Sequence, residues 1–406
     1  MSHGNGEYDL STFDPFDIAF ISNPYPVLQY ARKHAPVFQS KGGNWVITRH
    51  QDIVSALSNP LLSNTPSHFA VVSQRNRAKH TCADVANNSL PFLDAPQHTP
   101  PRKLIARTFQ EHLKANAVDV ESLAQQVFTP CRQSGQFDLL NDFATPFTLR
   151  FMAMFLGIAH SDGAGGTLAQ LKRWSDWFFY LFSIIPSRQV RDQLNRELQD
   201  FRAFIAEQIR LKRINPGNDL ISKLLAQNRL HDAMSDAQLI DNCMLVMTDG
   251  INADYGIANA ILALVKNPQT LSYLKQHPES LADAAQELLR YESPSLFIAR
   301  RALEDIALGG QQIKQNSGVL LMLAAANRDE EVFDRPDELL LNRNRNVYMS
   351  FGKGEHACIG RALVVSLLEA AIGQVLAQPD MTVDDAQIQW QTRAGHRWLE
   401  ALPLSC

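Results

Sequence analysis

The chain has 406 residues, 45% hydrophobic and 20% charged, enough apolar surface for a large core and too much for a disordered or fibrous protein. Its 38 basic and 42 acidic residues give a formal charge of −4 with no long basic run, which excludes the electrostatic footprint of a nucleic-acid binder. The N-terminus lacks the charged start and apolar stretch of a signal peptide, and no run of about 18 apolar residues suggests a membrane span. Cys82, Cys131, Cys243, Cys358 and Cys406 are odd in number and scattered, which suits a reducing compartment and a cytoplasmic protein. Pro and Gly, 20 each, are dispersed and mark no linker, so residues 1–406 read as one domain, mainly α with small β-sheets.

In chain order, a short β-rich segment at Asn44–Thr48 comes first. The run Thr99-Pro100 then suits a cap and first turn, placing His98 and Arg102 at i and i+4 on one helical face. Trp174, Trp177, Phe178, Phe179, Tyr180 and Phe182 form an aromatic stretch. At helical spacing most of these belong to a core, with one or two left to touch a ligand.

The clearest helix runs from about Asp236 to Lys266. Ser235 and Gln238 open it with capping-box spacing, and Asn267-Pro268 close it. At ~1.5 Å per residue it spans roughly 45 Å. Leu239, Ile240, Cys243, Met244, Met247, Ile251, Ile257, Ile261 and Leu264 cover much of its circumference, so it is expected to be buried. Gly250 and Gly256 interrupt its centre, beside Asp249, Asn252 and Asp254. Polar groups in a buried helix either face another helix or serve a cofactor or substrate, and the first is the simpler reading.

Further on, Glu287 and Arg290 stand three apart on a helical pattern and can form a bidentate ion pair. A second β-rich segment follows at Gln311–Met322. Near the end, Phe351-Gly352-Lys353-Gly354-Glu355-His356-Ala357-Cys358-Ile359-Gly360 precedes an apolar helix. The helix end would stabilise a Cys358 thiolate, while the glycines let the backbone turn tightly against a flat ligand. Gly352 to Ala357 also fits the G-x-G-x-x-A of a dinucleotide fold, but fewer than about fifty residues remain for the doubly wound sheet that this motif opens.

The cysteine segment resembles the heme-binding signature Phe-x-x-Gly-x-His/Arg-x-Cys-x-Gly of the cytochromes P450, matching every fixed position. The resemblance implies a P450-like fold over the whole chain, one heme b, and Cys358 as the thiolate iron ligand, whose electron push favours O–O cleavage. It assigns Phe351, Gly352, His356 and Gly360 to the heme loop and reads Glu287 and Arg290 as the family's structural Glu-x-x-Arg pair. Asp94-Ala95-Pro96-Gln97-His98-Thr99-Pro100-Pro101-Arg102 resembles the family's His-x-x-x-Arg segment, so His98, Arg102, Arg300 and His356 are expected at the heme propionates. The likeness extends to Asn23-Pro24-Tyr25-Pro26, Pro216-Gly217-Asn218-Asp219-Leu220, Ala326-Asn327-Arg328-Asp329 and Leu402-Pro403. It leaves no residues for a fused reductase, which implies separate ferredoxin and flavoprotein electron donors or peroxide in their place. Lys103, Arg107, Lys353 and Arg361 would offer an acidic redox partner a basic surface.

The chain departs from the family in two places. The third member of the Glu-x-x-Arg network, an arginine or histidine in relatives, aligns with Glu338, leaving Arg335 or Arg343 as substitutes. The central helix usually carries Ala/Gly-Gly-x-Asp/Glu-Thr, whose acid and alcohol deliver protons at the distal heme face. Here the aligned residues are Asp249-Gly250-Ile251-Asn252-Ala253, which lack both groups. Protons would then come from ordered water, from a substrate hydroxyl or amide, or with hydrogen peroxide itself. The expected activity is oxidation of a small apolar or aromatic molecule in specialised metabolism, by hydroxylation or by phenol-type coupling. The alternatives are a peroxide-driven peroxygenase and a heme protein that recruits or senses a ligand without turnover. Phe178, Leu296 and Phe297 are the expected substrate contacts, from the aromatic stretch and the segment Ser295–Ile298, alongside the long loop from about Leu61 to Leu93.

Overall fold

The computed structural model describes residues 2–3, 7–115, 118–163, 165–343, 347–378 and 381–405. Helices dominate and the strands are short, in agreement with the sequence reading. The chain divides into two compact units, one drawn from Met1–Ser63, Val127–Ala144 and Asp254–Cys406, the other from Asn64–Gln126 and Thr145–Ala253.

The first unit holds a five-stranded sheet in the order Val37–Gln39, Trp45–Ile47, Gly318–Leu321, Ile298–Ala302, Leu62–Ser63. Gly318–Leu321 runs parallel to Trp45–Ile47, pairing Val319 with Trp45, and antiparallel to Ile298–Ala302, pairing Val319 with Arg300. Successive strand residues point to opposite faces. Ile47, Val319 and Leu321 accordingly enter one core with Ile53, Ile313, Ala302 and Met349, while Val46, Leu320 and Met322 enter another with Phe13, Phe20 and Leu28. The segment Gln311–Met322 is two strands, Gln311–Ile313 and Gly318–Leu321. Asn316 separates them at φ +66, a left-handed conformation that asparagine tolerates in turns.

A polar cluster also ties this unit together. The Arg328 guanidinium lies between the rings of Tyr25 and Tyr291, 3.4 and 4.2 Å from their centroids, and the Tyr25 hydroxyl donates to Glu292 at 2.9 Å. This arrangement gives Tyr25 of the Asn-Pro-Tyr-Pro run a structural task.

The second unit is helical and is built around Asp236–Ile251, which packs against Thr81–Asn88, Thr145–Leu156, Thr167–Phe178 and Arg188–Ile214. The Ser235 and Gln238 capping box is present. Buried polar groups on this helix are paired with its neighbours: Asp241 accepts from Arg202 at 2.5 Å and from Asn88 Nδ2 at 2.8 Å, and Asn242 accepts from the Leu90 N–H at 3.1 Å. Asp219, at the start of Leu220–His231, accepts from Ser222 N and pairs with Lys212 at 2.8 Å.

The helix expected from about Asp236 to Lys266, with Gly250 and Gly256 interrupting its centre, is two helices, Asp236–Ile251 and Ala253–Val265. Asn252 makes the break. Its backbone N–H still donates to Thr248 O at 3.1 Å, the same oxygen accepts its side-chain Nδ2 at 2.9 Å, and its backbone lies at φ −70 and ψ 1, off the helical ψ. The Thr99–Lys114 helix also starts differently: His98 is its capping residue and makes no side-chain cap bond, so Thr99 is already helical.

Candidate active site

Cys358 lies on a loop built by its glycines. Gly352 and Gly354 sit at φ +64 and +77, where a side chain would be strained, and Gly352 N donates to Met349 O at 2.8 Å to close the turn. The Cys358 N–H then donates back to Phe351 O at 2.9 Å, and the helix Arg361–Leu376 begins with Gly360 as its cap. A Cβ on Gly360 would lie 3.7 Å from the Cys358 sulfur. Cys82, Cys131 and Cys243 are buried, whereas Cys358 is exposed. Burial pushes the Cys82 and Cys243 thiols up, to about 11 and about 12, leaving both unreactive at neutral pH.

The loop is anchored from beneath. Met349 sits in the sheet core. Asn327 accepts from Met349 N at 2.5 Å and donates to Ser350 Oγ at 2.8 Å, while Ser350 Oγ donates to Leu289 O at 2.7 Å. The Asn327 carbonyl in turn accepts from Arg290 Nη1 at 2.8 Å. Asn327 thus couples the helix Leu281–Tyr291 to the cysteine loop, a role that the sequence showed only as part of a family-like segment.

Arg290 and Glu287 form the expected bidentate pair, each contact 2.8 Å. Arg290 also donates to the carbonyls of Pro336 at 2.8 Å and Glu338 at 3.0 Å, so every guanidinium donor is used. The open place in this network belongs to Arg343, whose Nε donates to Glu287 Oε1 at 2.8 Å. Arg335 points outward to Asp334 and Glu338. Glu338 contributes its backbone oxygen and not its side chain.

These features agree with the comparisons. A sequence profile described as Cytochrome P450 matches residues 276–393, a span that includes Glu287, Arg290 and Cys358. The polyketide biosynthesis cytochrome P450 PksS of Bacillus subtilis (strain 168) is 29% identical over 412 residues, 97% of this chain and 98% of its own. This chain belongs to the cytochrome P450 family. The biotin biosynthesis cytochrome P450 of the same strain is 28% identical, covering 95% of this P450 and 97% of its own length. The solved structure of P450BioI in complex with hexadec-9Z-enoic acid ligated acyl carrier protein superposes with a TM-score of 0.85 at 26% identity, covering 96% of this P450 and 99% of that chain.

The P450 is therefore an enzyme of the monooxygenase type and uses heme b. Its cysteine loop fits that cofactor: an exposed soft sulfur donor on a glycine-rich turn ahead of a helix N-terminus is suited to thiolate ligation of iron. His356 ends the 3-10 turn Gly354–His356, and Phe351 lies beside Tyr348, with ring centroids 5.9 Å apart. Arg300 sits on the strand Ile298–Ala302 and donates to Ala299 O at 2.8 Å. All four residues, with Cys358, belong to the first unit.

His98, buried at the start of Thr99–Lys114, and Arg102, one turn on, belong to the second unit, as do Asp249, Gly250, Asn252 and Ala253. Phe178 and Leu296 are wholly buried, which makes them packing residues in the free chain, while Phe297 is half-buried. The backbone N–H of Leu296 donates to Gly395 O at 2.8 Å, and Ser295 bridges His396. His396 packs on Trp398 at 4.4 Å, and burial pushes its imidazole down to about 4, leaving it neutral. Sequence reasoning missed this Gly395–His396 turn because it carries no motif and reaches the segment Ser295–Ile298 only in three dimensions. Of the basic residues expected to meet a redox partner, Lys103 and Lys353 are exposed, Arg107 pairs with Glu111 at 2.9 Å, and Arg361 packs over Tyr348 at 4.9 Å. Among the described residues no helix is long and apolar enough to cross a membrane.

Proposed function

We propose that residues 1–406 act as one cytoplasmic heme-thiolate catalytic domain that oxidises a small apolar or aromatic molecule in specialised metabolism, by hydroxylation or phenol-type coupling. Separate ferredoxin and flavoprotein donors supply its electrons. The observation that carries this reading is the exposed Cys358 on a loop locked through Asn327 to the Glu287, Arg290 and Arg343 network. The naming of relatives for polyketide and biotin biosynthesis supports a biosynthetic role.

When bound, the heme supplies dioxygen activation and one-electron oxidation chemistry. In this reading Cys358 holds the iron as thiolate, with the helix Arg361–Leu376 stabilising its charge. His98, Arg102, Arg300 and His356 neutralise the propionates. Phe297 and the Gly395–His396 turn bonded to its segment bound the substrate space. Asn252 and Ala253 supply neither acid nor alcohol, so proton delivery departs from that of most relatives.

The test is spectroscopic. Reduced protein with carbon monoxide should show the long-wavelength band of a thiolate ligand, and Cys358→Ser should abolish it. Full retention of the band in Cys358→Ser would refute the ligand assignment. Mass-spectrometric product analysis with surrogate redox proteins then separates hydroxylation from coupling, and a ferric spectral shift without product would favour ligand recruitment over turnover.

A further inference from the structure

The helix Arg361–Leu376 opens against the usual order of charge. Its cap, Gly360, makes no side-chain hydrogen bond, its first turn holds no acid, and its first residue is itself a cation, Arg361. The free N–H groups and the dipole of a helix start already carry positive charge, so an arginine there is unfavourable unless an anion lies close by. Among the described residues no carboxylate pairs with Arg361. A local rule broken in this way is expected where function compensates for it. The group able to compensate is Cys358, three residues earlier, whose sulfur lies 3.7 Å from where a Cβ on Gly360 would stand.

The Arg361 guanidinium is held in place. Its Nη2 donates to Gln286 Oε1 at 3.5 Å, on the neighbouring helix Leu281–Tyr291. The guanidinium carbon lies 4.9 Å from the ring centroid of Tyr348 and 5.8 Å from that of Phe351, both within reach of a cation–π contact. The two rings meet edge to face, with centroids 5.9 Å apart. Phe351 is tied in turn to the cysteine, because its carbonyl accepts the Cys358 N–H at 2.9 Å. Tyr348 is buried, and burial pushes its hydroxyl above the ordinary value while the charge of Arg361 opposes that rise. The field of the guanidinium therefore reaches the buried layer behind the loop. All of these residues belong to the first unit.

We infer that Arg361 is a positioning residue of this P450, a fixed cation that offsets the negative charge of the Cys358 thiolate across the Tyr348 and Phe351 rings. The inference rests on the heme-thiolate reading above and deepens it. One-electron reduction of the bound heme adds a negative charge and breaks no bond, and a cation held nearby favours the reduced form. Arg361 thus raises the midpoint potential and eases entry of the first electron. By the same attraction it draws electron density toward the sulfur and moderates the donation to iron. The outer side of Arg361 is exposed, and water and salt screen it there, so the effect on the redox equilibrium is severalfold and no larger.

Spectroelectrochemical titration of the heme-loaded protein, with no organic substrate, compares the natural chain with Arg361→Gln and Arg361→Lys. The first keeps a hydrogen-bonding end without charge, and the second keeps the charge. At the midpoint potential of the natural chain, the ratio of ferrous to ferric protein should fall severalfold in Arg361→Gln and stay close to the natural value in Arg361→Lys. The C–O stretch of the reduced carbon-monoxide complex should move to lower frequency in Arg361→Gln, as the sulfur donates more. An unchanged potential and stretch in Arg361→Gln would overturn the inference, and slower reduction of that variant by a surrogate ferredoxin would then make Arg361 a docking residue only. Equal losses in the two variants would overturn it as well, tracing the effect to shape instead of charge. The reduced carbon-monoxide band reports the heme-thiolate reading separately. Its absence from the natural chain sinks that reading, and its presence with an unchanged potential in Arg361→Gln sinks only the role of Arg361.

Discussion

Replacing Arg343 by alanine tests the network beneath the cysteine loop, with Arg335→Ala as its control. The Arg343 side chain is 7% exposed and meets Glu287, itself 1% exposed, at 2.8 Å. It also donates to the carbonyls of Asp334, Arg335 and Glu338 at 2.5, 3.0 and 3.0 Å. A hydrogen bond to a charged group contributes about 1.5–3 kcal/mol. The three carbonyls belong to exposed residues, so water can replace much of what they lose. Glu287 keeps both Arg290 contacts and the Leu340 N–H at 2.9 Å, so its charge is not stranded and the cost stays near the low end of that for breaking a buried pair, about 3 kcal/mol. At a urea slope of about 3 kcal/mol per molar, the unfolding midpoint should fall by about 1 M. Arg335, 57% exposed, faces Asp334 and Glu338 at the surface and should change stability by no more than about 0.5 kcal/mol. Urea unfolding of the heme-loaded protein, followed by far-ultraviolet circular dichroism and heme absorbance, reads both. Equal midpoints for the two variants, or a larger shift in Arg335→Ala, would refute the assignment of Arg343 to this network.

Two further outcomes follow from packing and protonation. Gly250→Ala should destabilise by about 1–3 kcal/mol through overpacking against Met152, and Met152→Ala in the same chain should return part of that loss, so thermal unfolding of the single and double variants must be non-additive. Simple addition of the two effects would show that the helices separate there at no cost. His396 is held neutral with its folded pKa depressed to about 4, so the stability it contributes is present above the unfolded value near 6.5 and is lost as pH falls from there toward 4. The full loss is up to roughly 3 kcal/mol, and His396→Phe should flatten the melting temperature across that window. A variant with the same acid slope as the natural chain would place the titration elsewhere.

The cysteine loop was legible in the sequence because its chemistry is local: three glycines, an aromatic and a helix start dictate the turn within ten residues. The capping box at Ser235 and the ion pair of Glu287 with Arg290 were legible for the same reason, since each partner lies within one helical turn. What the sequence hid depends on contacts made far along the chain. Arg343 could not be chosen over Arg335 because both precede the same loop and only the fold decides which one turns inward. Asn252 was visible as a missing acid but not as the point where the helix divides, because a local change of backbone angle there follows from no motif. Phe178 carried the same aromatic signal as its neighbours, yet it is wholly buried whereas Phe182 is exposed. The Gly395–His396 turn had no signal at all.

The seating of Met349 in the sheet core bears on how the protein is made. The strands beneath it come from opposite ends of the chain, Trp45–Ile47 from the first residues synthesised and Gly318–Leu321 from the last third, and they pair directly. Such distant pairing must wait for the late strand, since until then the early one has only its hairpin neighbour Val37–Gln39 beside it. On a ribosome the floor of the cysteine loop would therefore be assembled only shortly before the loop itself emerges. A nascent chain arrested anywhere before Gly318 would lack both the ligand and the surface that shapes it, and so would have nothing with which to capture heme prematurely.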